Sequence, residues 1–117
     1  MLLWALAADP RLSAGVRRAI RDPANDVFVS AASAWEIAIK RSLGKLQAPD
    51  DLEEQLDRAR FSALPITIQH ALVAGALERH HGDPFDRVLI AQALVEHLTV
   101  VTRDPRFEPY GVPVLPV

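Results

Sequence analysis

Two short runs, VFVSAAS beginning at Val27 and LTVVT beginning at Leu98, are apolar or small at almost every position, with no wet residue in alternation. A strand with one solvated face alternates apolar and polar residues. A strand that does not alternate must be covered on both sides, which is the condition of a parallel sheet carrying helices on its faces. The segments around these runs have helical spacing and turn punctuation, so strands and helices alternate along the chain. That order predicts a single three-layer α/β/α domain over residues 1–117, built on a short, mostly parallel sheet.

Punctuation divides the rest. Residues 2–8 read as part of a helix ended by Asp9-Pro10. GVRRAIRDP reads as a short helix with Ser13 available as a cap and Asp22-Pro23 as its stop. The segment SAWEIAIKRSLGKL is a helix closed by Gly44, and DLEEQLDRARF is one with a charged outer face. ALPIT is short enough for a strand, and TIQHALVAGALERH and DPFDRVLIAQALVEHL are helical. DPRFEPYG reads as a turn or short helix, and VPVLPV as a terminal extended segment.

Composition excludes several classes. Half of the 117 residues are apolar, enough for a real core and against disorder. There is no cysteine, which removes disulfides and thiolate metal sites and fits a reducing, cytoplasmic setting. The apolar start lasts too few residues, without a basic flank, for a signal peptide or a membrane span. A net charge of −2 argues against non-specific coating of nucleic acid. It does not argue against an enzyme whose positive charge is carried by a metal ion. No P-loop, GxGxxG, GxSxG or HExxH pattern is present. The adjacent His80 and His81 diverge on any regular backbone, and Arg17, Arg18 and Arg21 read as a solvated basic face.

Ligands of open parallel sheets bind beyond the carboxyl ends of the strands. Carboxylates stand there in three separate segments: Glu36 after VFVSAAS, Asp83 and Asp86 at a helix start, and Asp104 after LTVVT. Clustered carboxylates repel unless they share a proton or a cation, and hard oxygen donors suit Mg²⁺ or Mn²⁺. Each also has a purely structural reading. Ser33 and Glu36 have capping-box spacing. Asp83 precedes Pro84 as an N-cap would, Asp86 then lies where the helix dipole favours a negative charge, and Asp104 can cap the turn ahead of Pro105.

The runs LLWALAADPRLS, SAASAWEIAIKRSLGKL, LPIT, HHGDPFDRVLIAQAL and LTVVTRDPRFEPYGVPVL, in this order, resemble the PIN-domain ribonuclease toxins of the VapC type. The resemblance implies a Mg²⁺- or Mn²⁺-dependent endoribonuclease acting on RNA in the cytoplasm. It also implies inhibition by a cognate antitoxin protein and assembly as a homodimer. Carried over by motif, Glu36, Asp86 and Asp104 are metal-binding catalytic acids. Thr102 is a supporting hydroxyl, Asp83 is typical of the subgroup, and Ser33 lies beside the Glu36 motif.

One departure stands out. Members of that family usually begin with a central strand ending in an aspartate, of the form LLLDTHVLLWAL, and this chain begins at Met1-Leu2-Leu3-Trp4. The expectation is therefore a sheet without its N-terminal strand and a site without its first acid, through either a misplaced start or a genuine loss. In the second case the chain acts only through antitoxin binding or self-association.

Overall fold

The computed structural model describes residues 2–4, 18, 19, 21–45, 53, 54, 57, 60–79, 82–102 and 104–115. Five strands form one sheet: β1 (Leu2–Trp4), β2 (Val27–Ser30), β3 (Ser62–Leu64), β4 (Thr99–Val101) and β5 (Val114–Leu115). Their spatial order is β3-β2-β1-β4-β5, and every pair is parallel. Helices α1 (Ala31–Ser42), α2 (Ile68–Ala76) and α3 (Pro84–Glu96) and a 3₁₀ helix (Pro105–Tyr110) lie among the connections. Arg18, Ala19, Arg21, Glu53, Glu54 and Asp57 are also helical, where helices were expected.

The N-terminus corrects two expectations. Leu2–Trp4 is a strand rather than the start of a helix, and it fills the centre of the sheet, where a strand was expected to be absent. It pairs with Val27–Val29 on one side and Thr99–Val101 on the other. The physical reason lies in the neighbours. Without a central strand, β2 and β4 would each present unpaired N–H and C=O groups inside the fold, and any short apolar segment within reach can satisfy them. Helical spacing over a few residues is weak against that demand. The strand ends on Trp4, followed by Ala5 rather than an aspartate. Asp9 and Ser13 lie outside the described residues, as do Arg17, His80 and His81.

From β1 the chain runs outward to β2 and β3, then returns past β1 to β4 and β5. This reversal makes the carboxyl ends of β1, β2 and β4 the place where a parallel sheet opens a crevice. The core joins α3 to the sheet through Leu89, Ile90, Ala93, Leu98, Val100, Phe107 and Val112. Residues 89–93 of α3 are all buried, more than one helical face can account for, so the middle of α3 is covered on several sides while Leu94 and Glu96 stay exposed. It packs on α2, α1, β4 and the 3₁₀ helix.

Helix ends follow their sequence signals with one shift. Ser30, not Ser33, caps α1, accepting the Ala32 N–H at 3.0 Å. VFVS is thus strand and AAS the first helical turn. The capping box falls instead at α2, where Thr67 Oγ1 accepts the His70 N–H and His70 Nδ1 accepts the Thr67 N–H. Gly44 and Gly111 take left-handed φ of 70° and 72° just past helix ends, the conformation that glycine adopts without a Cβ clash.

Candidate active site

Helix α1 starts at the carboxyl end of β2, and its second turn carries Glu36, buried at 7% exposure. Burial pushes the Glu36 carboxyl above the ordinary value of 4.5. Lys40, 3.6 Å away one turn on, pulls it down, and the charges of Asp83 and Asp86 push it up again. Two acids of α3 therefore act electrostatically on one acid of α1. Ser33, one turn before Glu36, is buried, and its hydroxyl has no hydrogen-bond partner among the described residues.

At the start of α3 the two aspartates separate in role. Asp83 is the N-cap, its Oδ1 accepting the N–H groups of Phe85 at 2.9 Å and Asp86 at 3.1 Å, with Pro84 in the first helical turn. Asp86 does not cap; it lies in the first turn, where the helix dipole favours its charge.

The third segment follows β4. Thr102 is buried, and its Oγ1 accepts the Asp104 N–H at 3.1 Å, so the hydroxyl holds the turn that presents Asp104. Asp104 caps the 3₁₀ helix through the Arg106 N–H. Its carboxylate also receives the Arg106 guanidinium, with Nη2 at 2.6 Å from Oδ2. The Arg106 guanidinium is held protonated more firmly than usual, first by its hydrogen bond to Asp104, then by that charge, with Asp86 and Asp83 adding to it. Arg106 thus feels all three aspartates, and Glu36 feels two of them. The four acids occupy one electrostatic neighbourhood.

Carboxylates and an orphaned buried hydroxyl are hard oxygen donors, chemistry that fits a divalent cation of the Mg²⁺ class. Among the described residues, no three acidic or histidine side chains converge closely enough to enclose an ion as they stand. A cavity of about 480 Å³ lies at the opposite, amino ends of β2 and β3, between Arg21, Asp26, Arg60 and Ser62.

Several contacts were not legible in the sequence. Arg106 as the partner of Asp104 is one, although an arginine two residues after a capping aspartate was there to be read. Another is Trp35, whose ring meets Phe85 edge to face at 5.2 Å. A third is Arg87, directly after Asp86, which donates to the carbonyls of Ala74, Leu77 and Glu78 and closes the C-terminal end of α2.

The PIN domain family matches residues 1–112. Ribonuclease VapC16 of Mycobacterium tuberculosis is 41% identical over 71 residues, covering 56% of this chain and 50% of the relative. The matched part thus spans half the length of that protein. Among solved structures, FitAcB from Neisseria gonorrhoeae aligns at a TM-score of 0.69 and 21% identity, covering 98% of this chain and 96% of that one. VapBC2 from Rickettsia felis, bound to a DNA fragment from its promoter, aligns at 0.70 and 13% identity, covering 99% and 98%. At these identities the structural likeness speaks for the fold. The family match spans nearly the whole sequence and agrees with the parallel sheet and its order: this chain belongs to the PIN domain family.

Proposed function

We propose that the chain, read as one PIN-like domain over residues 1–117, is a metal-dependent endoribonuclease toxin controlled by a cognate antitoxin protein in the cytoplasm. The observation that carries this reading is the buried Glu36, whose carboxyl is destabilised by its burial and by Asp83 and Asp86 across the α1–α3 contact. A fold does not place an ionisable carboxyl beside two others without cost, and a cation removes that cost. Glu36, Asp86 and Asp104 would hold the ion, with Ser33 beside them. When bound, Mg²⁺ or Mn²⁺ supplies an activated water and charge stabilisation for cleavage of a phosphodiester.

The remaining roles belong to the chain itself. Asp83 holds the first turn of α3 so that Asp86 faces its neighbours, and Thr102 holds the turn that presents Asp104. Lys40 keeps Glu36 available as a carboxylate. An antitoxin partner is supported by the resemblance to VapC-type toxins and by the 41% identity to Ribonuclease VapC16. A homodimer is supported by the apolar outer face of α2, where Ile68 and Leu72 are 80% and 70% exposed.

RNA cleavage by the purified chain with Mn²⁺, abolished by EDTA and by Asp86→Asn, is the expected result; an Asp86→Asn variant as active as the parent would sink the assignment. A second reading is supported by Arg106, which already occupies Asp104. In that reading the chain is catalytically impaired and acts only by binding its antitoxin or itself. It predicts antitoxin binding with no metal-dependent cleavage at all.

A further inference from the structure

Resting on the nuclease reading above, we infer that Trp35 and Phe85 form a stacking platform for an unpaired base of single-stranded RNA, next to the phosphate held at the acidic site. The basis is a double juxtaposition. On α1, Trp35 immediately precedes Glu36; on α3, Phe85 immediately precedes Asp86. The two aromatic rings touch, with centroids 5.2 Å apart and planes at 77°. The two acids next to them interact electrostatically. An aromatic pair and an acidic pair therefore lie side by side across one helix–helix contact.

Packing alone does not explain Trp35. It is 60% exposed, whereas the residues with which α1 packs, Ala32, Ser33, Glu36 and Ile37, are buried. Consecutive residues on a helix point about 100° apart. Burying Glu36 against α3 therefore brings Trp35 to the rim. An edge-to-face contact fixes one ring against the other while leaving aromatic surface open to water. An orientated, exposed indole beside a phosphate-handling site is what a nucleobase needs, because every base has a π-face and stacks without regard to sequence. The chain's net charge of −2 adds to the argument, since a binder without net positive charge gains less from phosphate neutralisation and more from contacts such as stacking. A paired base has no free face, so the platform selects unpaired RNA.

The test uses the full chain and a single-stranded RNA oligonucleotide with one 2-aminopurine moved through successive positions, in Ca²⁺ to suppress cleavage. One position should be quenched by the wild-type protein. Trp35→Ala should remove that quenching and weaken binding about tenfold, while Trp35→Phe retains most of both. An abasic site at the same position should weaken wild-type binding by a similar factor and leave Trp35→Ala unaffected. Circular dichroism and Tm establish that the variants are folded. No quenching by wild type, equal binding by Trp35→Ala, or independent multiplication of the abasic and Trp35→Ala effects overturns the platform. So does a Trp35→Ala variant that loses only antitoxin binding. Cleavage in Mn²⁺ is measured separately. A protein that quenches through Trp35 but never cuts refutes the nuclease reading alone, and one that cuts without Trp35-dependent quenching refutes the platform alone.

Discussion

Arg106 holds Asp104 from two residues away: Nε lies 3.0 and 3.1 Å from the two carboxylate oxygens and Nη2 2.6 Å from Oδ2. The same carboxylate caps the 3₁₀ helix through the Arg106 backbone. A guanidinium so placed satisfies the charge that a metal ion would otherwise satisfy. As a ligand, Asp104 would share its carboxylate between the guanidinium and the cation.

Replacing the guanidinium should therefore favour the cation. Arg106→Ala is expected to bind Mn²⁺ about two- to fivefold more tightly, the scale of an exposed ion pair. Isothermal titration or Mn²⁺ electron paramagnetic resonance would read it directly. Unchanged or weaker binding would show that Arg106 does not compete for the site.

Glu36 sets a pH dependence. Its folded carboxyl is raised above 4.5, chiefly by burial and further by Asp83 and Asp86. In the window above 4.5 the folded state holds this proton longer than the unfolded chain, so stability falls as pH rises through that window. Below it both states are protonated and the penalty is absent. Glu36→Gln should thus have a higher Tm than the parent at pH 7, and the gap should close on acidification to about pH 4. A gap that widened in acid would contradict the assignment.

Asp83 and Asp86 should separate in mutation although they stand three residues apart. Losing the α3 cap in Asp83→Ala should cost about 1 kcal/mol in denaturant unfolding. Asp86→Asn should leave stability within about 0.5 kcal/mol and instead reduce Mn²⁺ binding and cleavage. The opposite pattern would exchange their roles.

His70 is 1% exposed and joins two helices: Nδ1 accepts the Thr67 N–H, and Nε2 lies 2.9 Å from Glu96 on α3. Since a backbone N–H can only donate, the ring proton is on Nε2 and points at Glu96. Gln92, fully buried, reaches the same ring at 3.4 Å and the Pro65 carbonyl at 3.3 Å. His70→Ala should destabilise by about 2–3 kcal/mol, because it strands buried polar partners as well as leaving a hole. Glu96→Gln, at the wet end of the contact, should cost less than about 1 kcal/mol. Equal costs would place the energy in the His70–Glu96 hydrogen bond instead.

Arg87 closes α2. Its guanidinium donates to the carbonyls of Ala74, Leu77 and Glu78, which have no continuing helix to satisfy them. Tyr110 donates to Glu78 O as well. Arg87→Met should cost about 2 kcal/mol, with hydrogen exchange fastest at residues 76–79. A loss spread evenly over the protein would point to a general core effect.

Local chemistry made much of this readable. The non-alternating runs at Val27 and Thr99 became central parallel strands, and Asp83-Pro84 capped its helix, because caps and buried strands are decided by a few adjacent residues. Ser33 did not cap α1: Ser30 was three residues earlier at the strand end, where the chain actually turns. The N-terminal run Leu2–Trp4 was misread for the opposite reason, since its conformation comes from strands distant in sequence.

By itself the sequence determined the α/β class, the order of its elements and the residue types available to a site, because periodicity, caps and carboxylates are local properties. Only the tertiary structure decided which carboxyl is buried, that Arg106 claims Asp104, and that Trp35 meets Phe85 beside Glu36 and Asp86. Those facts depend on how helices from separate segments pack together on one sheet. Nothing in a linear pattern states that crossing; packing creates it.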